Sequence, residues 1–136
     1  MPLYSDNQTC PDAEKNGILV EFSDFWFRCA RAGGANKEYA KVLERKSRRL
    51  RGEADSGKLS EDKARGVLKE VYAETIVKEW GGPGLLGPDD KPLECTSENV
   101  LKVLQDLDMV YDRVYSEVTL AKNYLKSMIE EDSGNS

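Results

Sequence analysis

Over residues 17–50 the hydrophobic period changes once, and that change restricts the fold to a ribbon feeding a helical body. Ile18, Val20 and Phe22 alternate with Leu19, Glu21 and Ser23, and Phe25, Phe27 and Cys29 alternate with Trp26 and Arg28. This is the two-residue period of pleated strands. Ser23-Asp24 lies between the two runs and predicts a tight turn. From Lys37 onward Tyr39, Ala40, Leu43 and Leu50 recur at helical spacing among charged residues. The intervening Ala32-Gly33-Gly34-Ala35-Asn36 is read as the corner, with glycines supplying backbone conformations that other residues avoid.

After the corner the chain reads as helix. Asn36 is expected to cap a first helix running to Arg51, with Gly52 ending it. Glu53–Lys58 is a polar loop, and Ser60 caps a second helix whose first turn holds Glu61 and Asp62. Its stripe of Ala64, Val67, Leu68, Val71, Tyr72, Thr75, Ile76 and Trp80 runs to the break at Gly81-Gly82-Pro83-Gly84, and a long surface loop leads on to Leu93. Thr96 or Ser97 caps a third helix with Val100, Leu101, Leu104 and Leu107 on one face, interrupted near Asp108. A fourth, from about Met109 to Glu130, places Val110, Val114, Val118, Ala121, Leu125 and Met128 on one seam. The expected fold class is mostly α, with an N-terminal β-hairpin packed on a bundle of about four helices. Residues 1–16 are expected to form a flexible arm, 17–131 a single helical domain, and 132–136 a disordered tail.

Composition narrows the function. A chain of 136 residues fits one domain that buries about two thirds of its unfolded surface. Charged residues make up 33%, mean hydropathy is -0.62, and no run approaches the roughly 18 apolar residues of a membrane span. The N-terminus has no apolar signal core, so the expected location is the cytoplasm of the cell that makes it. The sequence contains no histidine, which removes Ser-His-Asp and Cys-His catalysis and the commonest zinc ligand sets. Cys10, Cys29 and Cys95 are odd in number and scattered, the pattern of reduced thiols. Gly33-Gly34 and Gly81–Gly84 lack the Lys-Ser/Thr or glycine spacing of phosphate loops. Asp89-Asp90, Glu61-Asp62 and Glu130-Glu131-Asp132 fall on loops or helix ends, where capping and solvation account for them. No enzymatic activity, cofactor or metal is expected.

Three groups remain as candidate contact residues. Phe25, Trp26 and Phe27 belong to the densest aromatic cluster; Trp26 points away from its neighbours, either covered by the N-terminal arm or exposed at an interaction edge. Arg45, Arg48 and Arg49 lie in the only basic cluster. Lys and Arg outnumber Asp and Glu ten to seven over residues 1–52 and are outnumbered ten to eighteen afterwards. The cluster reads as a solvated face, as half of a head-to-tail contact between copies, or as a phosphate-binding helix. Nucleic acid is disfavoured by a pI near 4.9 and by the lack of a recognised reading module. Val114, Val118 and Leu125 represent the amphipathic last helix, which could pack on a partner.

In order, the chain presents the hairpin, the Ala-Arg-Ala-Gly-Gly-Ala-Asn corner, and a helix carrying Lys41-Val42-Leu43-Glu44-Arg45. Tyr72-Ala73-Glu74-Thr75-Ile76-Val77-Lys78-Glu79-Trp80, Thr96-Ser97-Glu98-Asn99-Val100-Leu101-Lys102-Val103-Leu104 and Ala121-Lys122-Asn123-Tyr124 follow. Over residues 17–130 this resembles the tail assembly chaperones of long-tailed bacteriophages. It departs from them at Leu107-Asp108-Met109, where a Leu-Pro step is common. The resemblance implies a non-enzymatic protein of the infected cell that binds the tape measure protein, helps recruit tail tube subunits, and is absent from the finished virion. Self-association is expected as well, through the basic Arg45–Arg51 stretch and the acidic C-terminal half; a nucleic-acid-associated regulator and a head–tail connector component are the alternatives.

Overall fold

The computed structural model describes residues 7–55 and 60–126. The expected disordered tail, 132–136, lies outside them. Among the described residues a short helix α1 (Pro11–Asn16) precedes strands β1 (Ile18–Glu21) and β2 (Trp26–Cys29). Helices α2 (Lys37–Asp55) and α3 (Glu61–Thr75), strand β3 (Val77–Gly81), helices α4 (Ser97–Asp106) and α5 (Asp108–Val118), and a 3-10 turn at Ala121–Tyr124 follow. The protein is mostly α, with a small antiparallel sheet at its N-terminal side, as the periodicity predicts.

The hairpin forms in the expected register, Val20 opposite Phe27 and Ile18 opposite Cys29, and its turn closes with the Phe22 N–H donating to the Phe25 carbonyl at 2.8 Å. Parity then sorts the side chains: Val20, Phe27 and Cys29 are buried, while Trp26 and Arg28 lie on the opposite face. The sheet has a third strand, however, that the helical reading of residues 61–80 missed. α3 stops at Thr75, and β3 pairs antiparallel with β2, Phe27 opposite Trp80 and Arg28 opposite Glu79. Thr75, Ile76 and Val77 are consecutive β-branched residues, which lose side-chain freedom in a helix and pack well on a pleated surface. An irregularity between Arg28 and Cys29 puts Val77 and Trp80 on the buried face with Lys78 and Glu79 exposed between them.

The corner at 31–36 is where the elements are tied together. The Ala30 N–H donates to Ile76 C=O at 2.8 Å, Arg31 N–H to Glu14 C=O at 2.9 Å, and Ala32 N–H to Val118 C=O at 3.1 Å. Asn36 is buried and does a different job from the expected cap: its amide group donates to the Arg31 and Thr75 carbonyls, at 2.9 and 3.2 Å. Gly34 has φ +55, and a Cβ there would lie 2.0 Å from a Glu14 carboxylate oxygen, so the corner needs glycine for both conformation and space. That carboxylate pairs with Arg31; the two side chains are only 4% and 22% exposed.

This pairing corrects the expected loose arm through residue 16. Pro11 opens α1 at a position where its missing N–H costs nothing, Ala13 and Glu14 are buried, and Thr9 bridges to Leu125. Residues 1–6 lie outside the described part. Two helix ends also differ from expectation. α2 continues through Gly52 to Asp55, and α5 ends at Val118 instead of running to residue 130. Two boundaries fall where the caps predict: Ser60 Oγ accepts from Lys63 N–H at 3.2 Å, and Thr96 Oγ1 accepts from Asn99 N–H at 3.1 Å. The interruption expected near Asp108 is present one residue earlier, at Leu107, without a side-chain cap, and Asp108 itself opens α5.

One core joins sheet and helices. Phe27, Trp80, Tyr72, Ile76, Val100, Leu104, Val114 and Val118 all belong to it. The loop after β3 is anchored to this core by buried Leu85, by Leu93 N–H donating to Leu85 C=O at 3.0 Å, and by the Trp80 indole N–H donating to Leu93 C=O at 2.9 Å.

Candidate docking surface

Four of the exposed large apolar residues, Leu19, Leu86, Leu107 and Met109, border hollows around the hairpin turn and the α4–α5 break, whereas Tyr115 and Leu120 line none of these. Phe22 and Phe25 stack at 4.5 Å between ring centroids, and both sit edge-on or tilted against buried Phe27 at 5.3 and 5.6 Å. Their outer sides, with Leu107, Met109 and Val110, wall a hollow of about 660 Å³. Leu107 and Asp106 continue into a second hollow of about 490 Å³ beneath the loop bearing Leu86 and Leu93. On the other side, Phe22 and Phe25 are shared with a third, of about 330 Å³, lined by Leu19, Asp24 and Trp26. The three hollows are neighbours that share wall residues, and together they make up the groove.

Met109 is 84% exposed and Leu107 47%. Both are out of phase with the buried seam of Val110, Val114 and Val118, because the helix restarts at Asp108 with a new face inward. Met109 is an unbranched, polarizable side chain on open surface, the kind that adapts to different apolar partners. The Arg113 guanidinium lies 5.6 Å above the Phe22 ring and pairs with Glu117 at 3.4 Å.

The sequence-derived candidates divide accordingly. Phe25 and Trp26 are half-buried and line the groove; Trp26 packs over Gly81, where a Cβ would come within 2.8 Å of its ring. Phe27, Val114 and Val118 are fully buried core and present nothing to a partner. Leu125 is half-buried beside the bridge to Thr9. Leu107, Met109 and Leu86 were missed. Their signal in the sequence is weak: Leu107 fits the apolar face of the third helix and so reads as core, Met109 falls off the seam of the fourth, and Leu86 sits in a loop with no period.

Arg45, Arg48 and Arg49 are exposed but turned toward carboxylates of the same chain. Arg45 lies 3.6 Å from Glu74, Arg49 3.5 Å from Glu70, and Arg48 3.6 Å from Glu44 one turn back. Lys46 bridges Glu70 and Glu74 at 3.4 and 3.7 Å. The basic face of α2 thus meets the acidic face of α3, and the opposite charges that the sequence offers to a second copy meet within one chain. Surface pairs of this kind stabilise little, about 0–1 kcal/mol each, but they lower the local positive potential available to a phosphate backbone.

The titratable groups with displaced values are mostly buried thiols and tyrosines. Cys29 is buried on the Phe27 face, and burial pushes its thiol well above the ordinary range; burial also raises Cys95. A thiol held protonated is a poor nucleophile. A hydrogen bond from Lys69, at 2.7 Å, and its charge hold Asp108 below its ordinary value. Tyr72 stands at the centre of a ring cluster with Tyr39, Tyr111 and Tyr115. Burial raises it, and its hydroxyl has no hydrogen-bond partner among the described residues. Among those residues no group of three or more Cys, Asp or Glu is arranged to hold a metal, and no helix is long and apolar enough to cross a membrane.

In comparison with known proteins, residues 34–135 match the family described as YdaY prophage protein. No curated protein and no solved structure matches the chain.

Proposed function

The chain belongs to the YdaY prophage protein family, and from that phage origin we propose that it is a tail assembly chaperone. In this reading it is a non-enzymatic protein of the host bacterial cytoplasm. It binds the tape measure protein while that protein's apolar surface is uncovered, helps recruit tail tube subunits, and leaves before the virion is complete. Two things support the reading: the order of elements resembles tail assembly chaperones, and an apolar groove opens at the hairpin turn and the α4–α5 break. The groove is the observation that carries it. Leu107 and Met109 leave apolar side chains in water beside the half-buried Phe22 and Phe25 rings, and contiguous exposed apolar patches mark interaction sites.

The nucleic-acid alternative loses its main support, since Arg45, Lys46, Arg48 and Arg49 are each engaged by Glu44, Glu70 or Glu74. Deleting the gene from an inducible prophage tests the chaperone reading. The expected result is heads without tails and tape measure protein in the insoluble fraction; normal tails would contradict it. Mass spectrometry of wild-type virions separates it from a connector component, which would be present in the particle.

A further inference from the structure

We propose that the groove formed by the hairpin turn, Leu107 and Met109 binds an amphipathic helix flanked by basic residues. The inference rests on the reading that the chain covers a partner's apolar surface, and it specifies the chemistry of what is covered.

The helical form follows from the backbone of the groove walls. A partner strand needs a row of free N–H and C=O groups to pair with. At the hairpin turn, which faces Leu107 and Met109, that row is closed: Phe22 N–H donates to Phe25 C=O, and Asp24 C=O accepts from Gly84 N–H, both at 2.8 Å; the outer edge of β1, the edge strand of the sheet, borders only the third hollow. On the helical side Leu107 C=O accepts from Val110 and Tyr111 N–H at 3.0 and 3.2 Å, and Leu107 N–H donates to Val103 C=O at 2.9 Å. What the walls offer is side chain: the paired rings of Phe22 and Phe25, then Leu107 and Met109. An occupant must satisfy its own main chain, and a helix does so while presenting apolar residues three and four apart to successive hollows.

The basic flanks follow from the rim. Glu21, Asp24 and Asp106 line the groove and make no ion pair among the described residues, whereas Arg113 is engaged by Glu117. Asp108 is engaged by Lys69. Lys102, at the far end of the second hollow, is the one lining cation without an ion pair among the described residues. The open charge near the hairpin and the α4–α5 break is therefore negative, and Lys or Arg beside an apolar stripe complements it.

The test is a titration of the full chain with three labelled synthetic peptides, followed by fluorescence anisotropy at low and high salt. One peptide is an amphipathic helix with Lys flanks, the second has the same apolar face with Glu flanks, and the third keeps the Lys flanks but carries a central proline. The Lys-flanked helix is expected to bind about tenfold more tightly than either of the others, with the preference over Glu flanks shrinking in high salt. Met109→Asp, at an exposed position that folding does not need, should weaken it about tenfold, and Asp106→Lys should narrow or reverse the Lys-over-Glu preference. Equal binding of the Glu-flanked or proline peptide, no binding of any peptide, or indifference to Met109→Asp would overturn the proposal. So would a dimer of the wild-type chain that Met109→Asp dissociates, since a second copy would then own the groove. If the peptides behave as expected but the tape measure protein does not bind the chain, the chaperone reading fails and the groove chemistry stands. If the tape measure protein binds and Met109→Asp makes no difference to either ligand, the groove inference fails alone.

Discussion

Trp26 and Phe27 are neighbours in sequence on opposite faces of β2, and parity alone decides their roles. Phe27 is fully buried, tilted against Trp80 at 5.6 Å, so Phe27→Ala should cost about 3–5 kcal/mol of stability, read as a lowered urea midpoint. A loss under about 1 kcal/mol would show that the ring is not core. The alternation that separates the two residues was legible in the sequence; that Phe27 would be wholly enclosed was not, because enclosure depends on Trp80, which lies 53 positions away on a strand the pattern disguised. Asp108 offers a second residue-scale test. Lys69 favours the charged carboxylate only in the folded state, so Asp108 titrates lower folded than unfolded. Its contribution to stability is present above the unfolded value, near 3.8, and is lost as pH falls through the lower folded value. NMR titration should place its midpoint below 3.8, and Lys69→Met should move that midpoint upward; an unchanged midpoint would contradict the assigned cause.

At the scale of elements, the helix caps and the hairpin were readable because their signals are local. Ser60, Thr96 and the Ser23-Asp24 turn each act within a few residues. β3 was not readable, since Ile76 and Trp80 extend the four-residue stripe of α3 and the same two side chains serve equally on a strand's buried face. α5 ends early for a similar reason: its seam continues in sequence past Val118, but the chain turns so that Tyr124 C=O can accept from Cys10 N–H at 2.7 Å, a partner no local pattern reveals. The loop after β3 has its own requirement. Gly82 has φ +111, and a Cβ there would lie 2.6 Å from Phe25 Cα and 2.8 Å from Asp24 O. Both obstacles are backbone. Gly82→Ala should therefore destabilise by more than about 1 kcal/mol and loosen the hairpin turn that walls the groove, visible as faster amide exchange at Phe22 and Gly84. Unchanged exchange with unchanged stability would show that the loop and turn are not packed as described.

For the whole molecule, charge and apolar surface are sorted in a way the composition only hints at. The basic stretch of α2 is answered by Glu70 and Glu74 of α3, so the asymmetry between the two halves of the sequence is largely internal. The unanswered features lie around the apolar groove, where Glu21, Asp24 and Asp106 have no ion pair among the described residues. The aromatic hairpin pointed toward this site, whereas Leu107 stayed hidden because it continues the apolar face of Val100 and Leu104, and Met109 because it lies off the seam of Val110 and Val114. The most direct test of the account is co-expression of the full chain with the tape measure protein of its own phage, in wild-type and Met109→Asp forms of equal stability. The account predicts soluble tape measure protein that co-purifies with the wild-type chain and is largely lost with the variant. Tape measure protein that stays insoluble with the wild-type chain, or that co-purifies equally with both forms, would contradict it.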